Sequence, residues 1–307
     1  VVLLGQVAGW PAVAAAQAGD EATIAYLCRD RTRRPIRAIA AAPSAQQRFF
    51  YTPDLAHLNF VHGSGQFEAF LADLLRATAM PDTPAMAVQS ELIDSLLPSF
   101  VREHRLALLS DVPARIWIGN RIRVATHWDA KAIIACCVAG HRGFTLYPPD
   151  QIGGLYPGPF EITPTGVPVS MVDPAAFGLA RFPRHAKAAQ HASTATLVLC
   201  DAIYIPYGWW HGVESLDSVS ILVNYWWTPD RHKDISTPYD ALMHAVYAVR
   251  HMLGDQRRVW RGLLDYYVFG AADEPGVRLP AAVQRILDPP SRENFAAMRD
   301  FIRQVLG

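Results

Sequence analysis

The spacing of apolar positions changes along the chain, and each change marks a different kind of element. From Gln66 to Ala79, the residues Phe67, Phe70, Leu71, Leu74 and Leu75 recur at helical spacing, so they share one stripe of a 3.6-residue helix. That predicts an amphipathic helix laid on a core. The remainder of residues 1 to about 110 alternates short apolar runs with helix-like stretches. Between Ala114 and Tyr147 the texture turns β-branched and aromatic, in RIWIG, IIACCV and FTLYPP with turn residues between them. These runs predict successive strands.

From Pro148 to Pro183 the chain is rich in Pro and Gly, as in PPDQIGGLYPGPFEITPTGVPVS, which predicts a long loop without helix or central strand. Strand character returns in ATLVL, DAIYIP and SVSILVNYWW, with a turn at Tyr207-Gly208 ahead of the tryptophans. After Pro229 the helical period resumes in YDALMHAVYAVRHML, QRRVWRGLLDYYVFG and NFAAMRDFIRQVL. The expected division is therefore 1–230, with core strands mainly in 114–228, and a helical segment over 231–307. That segment has too little core to stand alone. It is expected to pack on the β domain, or to pair two copies through Leu242, Val246, Trp260, Leu264 and Tyr267.

A chain of 307 residues, 51% of them hydrophobic, can bury a substantial core as one large domain or two small ones. Its 28 basic and 28 acidic residues cancel, so no global field draws it to nucleic acid or to an anionic membrane, and any partner is recognised locally. Cys28, Cys136, Cys137 and Cys200 form no CxxC pair and read as buried thiols in a reducing compartment. The apolar start VVLLGQVAGWPAV is broken by Gly5, Gly9 and Pro11 and has no basic flank. It is too short to predict a membrane span, and cytoplasm is the expected location.

In RVATHWDAK, His127 and Asp129 are separated by one residue. On a strand both side chains leave the same face and can reach one cation. His211, following the predicted strand DAIYIP, supplies a third ligand from a neighbouring strand end. Two histidines and a carboxylate on one face leave three positions of an octahedron open, which suits Fe(II) with a chelating cosubstrate and oxygen. Alone, each motif is weak, because HxD occurs often and a single histidine is more commonly a satisfied core residue. His244 and His251, seven apart on a predicted helix, have no carboxylate or thiol to complete a metal set and are assigned to packing or solvent.

The segments THWD, GHRGFTLYPPDQIGGLYPGP, DAIYIPYGWWHGVESL and LVNYWW, together with VVLLGQVAGWPAV, resemble the JmjC or cupin-like family of Fe(II)- and 2-oxoglutarate-dependent oxygenases, and within it the asparaginyl-hydroxylase branch. The resemblance covers most of Val1 to Trp227. It implies a double-stranded β-helix, a mainly β jelly roll with an N-terminal α/β elaboration and a C-terminal helical dimer interface. It implies iron held by His127, Asp129 and His211, and 2-oxoglutarate bound with help from Arg142, Asn224 and Thr145. A guanidinium at Arg142 can grip the distal carboxylate through two parallel hydrogen bonds. His141, its neighbour, is expected on the opposite face.

The chain departs from that branch at Ala87, Val124 and Ile133, which stand where it carries tyrosine, threonine and asparagine. The leading expectation is an oxygenase that hydroxylates a protein or peptide side chain. A catalytically weak or silent metal-binding cupin, serving as small-acid sensor or scaffold, is the alternative that the departures motivate. A cupin-type metal isomerase or zinc hydrolase, an N-methyl-lysine demethylase and an RNA-modifying hydroxylase are further alternatives; no arginine-rich patch favours RNA.

Overall fold

Two faces of one strand explain most of the architecture. In Ser220–Trp227, every residue from Ser220 to Tyr225 is buried, and odd and even positions serve different cores. Ile221, Val223 and Tyr225 pack under N-terminal helices, whereas Leu222 faces the second sheet. The strand Ala132–Ala139 is divided in the same way, with Ile134, Cys136 and Val138 on one core and Ile133, Ala135 and Cys137 on the other. A strand covered on both sides shows a continuous apolar run rather than alternation.

The computed structural model describes residues 1–173, 179–228, 238–270, 275–288 and 291–306. Its strands are β1 (Val2–Leu3), β2 (Ile36–Ala41), β3 (Arg48–Phe49), β4 (Val61–Gly65), β5 (Ala85–Leu92), β6 (Ala114–Gly119) and β7 (Arg123–Trp128), followed by β8 (Ala132–Ala139), β9 (Arg142–Tyr147), β10 (Ser193–Leu197), β11 (Ala202–Ile205), β12 (Trp210–Ser215) and β13 (Ser220–Trp227). They form an eight-stranded sheet in the order β1-β11-β8-β13-β6-β5-β2-β4 and a five-stranded sheet in the order β10-β9-β12-β7-β3. This is the expected jelly roll of two facing sheets, with helices preceding and following its strands. Ile133, Phe144, Leu146, Leu197, Ile205 and Leu222 fill the space between the sheets.

The outer face of the larger sheet is covered by α1 (Pro11–Gln17), α2 (Asp20–Cys28) and α3 (Phe67–Ala77). The stripe expected for α3 is the face it buries, through Phe67, Phe70, Leu71 and Leu74. The chain divides into units 1–227 and 228–307. The expected boundary at 230 and 231 falls in 229–237, outside the described residues. In the second unit the helices run Pro238–Val249, Gly254–Tyr267 and Arg292–Leu306. His244 lies on the first of them and His251 beyond its end, so the expected shared helical face does not form.

The Pro- and Gly-rich segment is less irregular than its composition suggests. It holds a one-turn helix at Ile152–Leu155, which is free of proline and too short to demand interior hydrogen bonds from its neighbours; residues 174–178 of this segment lie outside the described residues. Cys136 and Cys137 are buried free thiols, each pushed up to about 12 by loss of hydration.

The helix-covered core carries the stability of the first unit. Leu71 is fully buried on α3, whereas Val61 on edge strand β4 is 68% exposed. Leu71→Ala is expected to lower the unfolding free energy by about 2–5 kcal/mol, and Val61→Ala by no more than about 0.5 kcal/mol. Urea titrations followed by circular dichroism measure both, and equal effects would contradict this packing.

Candidate metal centre

A bulge brings the two histidines together. On the five-stranded sheet β12 runs antiparallel to β7, with Trp210 opposite Trp128 and His211 opposite His127, after which the register slips so that Val213 faces Val124. Ala125 and Thr126 therefore share the place opposite Gly212, the two-against-one count of a β-bulge. The slip turns Val124 and His127 toward the same cavity although they stand three positions apart. Position 212 tolerates this only without a side chain, because a Cβ there would lie 2.8 Å from Thr126 Oγ1.

Asp129 lies just past the end of β7 rather than on it, which corrects the sequence expectation, whereas His211 follows β11 and stands at the start of β12, the neighbouring strand end that was expected. The backbone N–H of Gly208 donates to the Asp129 carbonyl at 3.1 Å. Gly208 has φ +74°, a conformation that glycine adopts without strain, and it forms the turn expected ahead of the tryptophans. This turn fixes the end of β7 beside the start of β12.

Ligand atoms of His127, Asp129 and His211 lie within 4.8 Å of one another. The His211 Nε2 to Asp129 Oδ2 distance is 3.6 Å, and the two imidazole centroids are 4.4 Å apart. His127 Nδ1 donates to the Ala125 carbonyl at 2.9 Å, and His211 Nδ1 to the Trp209 carbonyl at 3.1 Å. A carbonyl can only accept, so each Nδ1 carries a proton, which leaves Nε2 as the nitrogen that a neutral imidazole offers to metal. His211 is buried, and loss of hydration, reinforced by His127, lowers its pKa to about 4. It is a neutral imidazole at physiological pH, the form that ligates metal.

The donor set fits a divalent transition metal. Ligand bonds of about 2.1 Å put neighbouring ligand atoms of an octahedron about 3 Å apart, so the three side chains would draw inward to hold an ion. Three neighbouring ligands leave the remaining positions of an octahedron open. His127, Asp129 and His211 would hold the ion.

The three open onto a cavity of about 160 Å³, which Arg142, Asn224, Ala87, Val124 and Ile133 also line. Arg142 is 3% exposed and Nε donates to Ser220 Oγ at 2.8 Å. No carboxylate among the described residues forms an ion pair with it. Burial lowers its pKa to about 10, which leaves it charged at neutral pH. Asn224 Oδ1 is buried without a hydrogen-bond partner, so its amide does not serve merely to satisfy a backbone group. A cavity with a buried cation that no described carboxylate pairs suits an anionic guest.

Thr145 is not part of this assembly. Strand alternation turns Arg142, Phe144 and Leu146 inward and Thr145 outward, where it lines a separate trough of about 310 Å³ with Thr126, Thr194 and Glu214. His141 also faces away from Arg142, its Nδ1 2.8 Å from Asp217 Oδ2 at the surface. Trp210 is core, packed with Tyr147 and Leu155. The cavity lining includes Gln89, Ser90, Trp117, Phe144 and Thr165 as well. Trp117 was detectable as the inward position between Ile116 and Ile118, and Thr165 comes from the Pro-rich segment. Gln89 and Ser90 sit at a bulge between Val88 and Glu91, where no sequence period points.

Because folded His211 stays neutral down to about pH 4 while an unfolded histidine titrates near 6.5, the unfolded chain binds more protons between these values. The stability of the metal-free protein is therefore expected to fall as pH drops from about 6.5 toward 4. His211→Gln should remove this component, and urea midpoints in EDTA across the window report it. An unchanged pH slope in the variant would contradict the assignment.

A cupin-like domain family model matches residues 1–233. The chain is 29% identical over 136 residues to lysine-specific demethylase JMJ31 of Arabidopsis thaliana, an alignment covering 44% of this chain and 23% of that protein. It is 33% identical over 115 residues to human HSPB1-associated protein 1, covering 36% of this chain and 22% of that one. The aligned parts thus span less than a quarter of either relative. Fold, family match and His-Asp-His constellation together give a centre of the 2-oxoglutarate-oxygenase kind, and the chain belongs to the cupin-like domain family.

Proposed function

We propose that this chain is an Fe(II)- and 2-oxoglutarate-dependent oxygenase that hydroxylates a side chain of a protein or peptide. The observation that carries the reading is that the metal-ligand constellation and the uncompensated cation of Arg142 line one buried cavity. Bound iron supplies the redox chemistry in which oxygen and 2-oxoglutarate yield carbon dioxide, succinate and a hydroxylated C–H position.

The protein's own residues bind, orient and exclude water. Arg142 receives the distal carboxylate, and Ser220 fixes its guanidinium. Asn224 offers an amide beside the cosubstrate. The backbone carbonyls of Ala125 and Trp209 hold both imidazoles in the ligating tautomer. Ala87, Val124 and Ile133 give the cavity apolar walls, so recognition of the acid rests more heavily on Arg142 than it does where polar side chains occupy those positions. Trp117 and Trp226 shield the interior.

Those same three positions favour a second reading, a metal-binding cupin that senses a small acid without turnover. The name of the Arabidopsis relative raises lysine demethylation as a third. In the second unit, Leu242, Trp260 and Tyr267 are exposed. They support a homodimer through the C-terminal helices, for which Trp260→Asp is expected to lower the mass seen by sedimentation equilibrium.

Anaerobic titration of the Fe(II) protein with 2-oxoglutarate tests the main reading. A visible charge-transfer band is expected, with Arg142→Ala weakening acid binding by 100-fold or more, the equivalent of about 3 kcal/mol for a buried pair deprived of one partner. Oxygen-dependent succinate formation over a broad peptide panel separates enzyme from sensor. Iron-loaded protein that neither binds 2-oxoglutarate nor forms succinate would overturn the oxygenase proposal.

A further inference from the structure

The charge at the mouth of the cavity selects among the side chains that such a centre can oxidise; this inference rests on the oxygenase reading. Among the described residues, Asp129 is the one carboxylate that lines the cavity and belongs to the metal set, Arg142 is the one lining guanidinium, and Arg115 stands just outside the lining, beside Ser90, Asn224 and Trp226. Glu91, at the bulge beside the mouth, is committed elsewhere: Arg34 lies 3.4 Å from it, and the backbone N–H of Arg37 donates to it at 3.0 Å. A divalent ion leaves the lining with net positive charge. A bound oxo diacid then brings it to neutrality, with no surplus negative charge to receive an ammonium group.

Aromatic faces can hold a methylated ammonium without a carboxylate. Trp117 and Trp226 both line the cavity, with centroids 5.2 Å apart and planes inclined at 55°. That wall already has a cation. The Arg115 guanidinium lies over the Trp226 ring, 5.8 Å from its centroid. Its Nη1 donates to the Ser90 carbonyl at 2.7 Å and to Ser90 Oγ at 3.1 Å. Ser90 has φ +57°, a left-handed conformation uncommon outside glycine, and that local turn aims its carbonyl at Arg115. On β6, Arg115 stands directly opposite Asn224 of β13. The guanidinium is therefore positioned from three sides, by a strained residue, an aromatic ring and the sheet register.

We propose that Arg115 is a charge gate, a specificity-determining residue that reserves the Trp226 face and closes the mouth to cationic side chains, so that the substrate side chain is uncharged. Among the described residues, Gln89, Ser90, Thr165 and Asn224, the polar lining residues outside the metal set and Arg142, are uncharged. Gln89 and Asn224 are amides, and the Trp226 Nε1 donor, like Asn224 Oδ1, is buried without a partner. Like charges brought together in a partly desolvated setting repel strongly. An uncharged side chain meets no such barrier.

The test uses full-length protein loaded with Zn(II) as a diamagnetic stand-in and saturated with 2-oxoglutarate. The tryptophan indole N–H resonances are followed by NMR, with the Trp226 signal identified by its loss in Trp226→Phe. The probes are N-acetyl-glutamine methylamide and N-acetyl-Nε-trimethyl-lysine methylamide. The glutamine probe should shift the Trp226 signal and the trimethyl-lysine probe should not. In Arg115→Gln the trimethyl-lysine probe should bind about tenfold more tightly than in the unaltered protein, with the glutamine probe changed by less than about twofold.

Arg115→Met provides a second uncharged variant, and unaltered urea midpoints show that each still folds. Equal binding of both probes by the unaltered protein, or no gain in either variant, overturns the proposal. So does the absence of any probe-induced shift while 2-oxoglutarate remains bound. Failure of the underlying oxygenase reading appears separately, as loss of 2-oxoglutarate binding in the same samples before any probe is added.

Discussion

One register, His211 of β12 opposite His127 of β7, is the constraint on which the rest of the site depends. Neighbouring strands place directly opposed side chains within reach of each other, and here that proximity becomes a pair of metal-facing imidazoles. The bulge at Ala125-Thr126 and the missing side chain at Gly212 belong to the same device. Without the extra residue, regular alternation would separate Val124 from His127 by face and change the shape of the cavity. A side chain at 212 would meet Thr126 and disturb the slip. The carbonyls that hold both Nδ1 atoms, from Ala125 and Trp209, lie two residues upstream of their histidines, so local backbone geometry sets the tautomer and the pairing sets the distance.

The stiffness that this geometry needs comes from double burial. β8 and β13, neighbours in the larger sheet, have one face under the N-terminal helices and the other on the smaller sheet. Interiors packed this densely resist small displacements. Asn224 and Trp226 thus project into the cavity from a strand held on both sides, and Arg142 from a strand whose inward neighbours, Phe144 and Leu146, are core. Sites built on sheet strands are better positioned than sites on loops. The exception is the rim, where Ser90 and Thr165 come from a bulge and from the Pro-rich segment.

Much of this was legible in the sequence where residue type and period agree. The stripe of α3, the strand runs and the two motifs around THWD and GWWHG each carry a local signal that tertiary structure does not overturn. The failures occur where a single-residue shift decides orientation. Thr145 sits in a matching motif but has the wrong parity on its strand. Asp129 stands beyond the strand end because the turn at Gly208 captures its carbonyl. Neither bulge is visible as a pattern, since a bulge is defined by the partner strand's count. The division of β8 and β13 between two cores is equally hidden: an unbroken apolar run says that both faces are covered, not what covers them.

Arg142 is where fold stability and function meet. A guanidinium taken from water with a serine hydroxyl as its one hydrogen-bond partner among the described residues raises the free energy of the folded chain, and the apolar Ala87, Val124 and Ile133 side chains around the cavity provide no dipoles to offset it. Selection for stability alone would place a leucine or methionine there. The cost is recovered only when an acid enters, because a ligand that binds the folded state and not the unfolded one adds its binding free energy to folding. Acid binding and folding are therefore coupled through one side chain, and the loss of polar anchors elsewhere in the cavity concentrates that coupling on Arg142 rather than removing it.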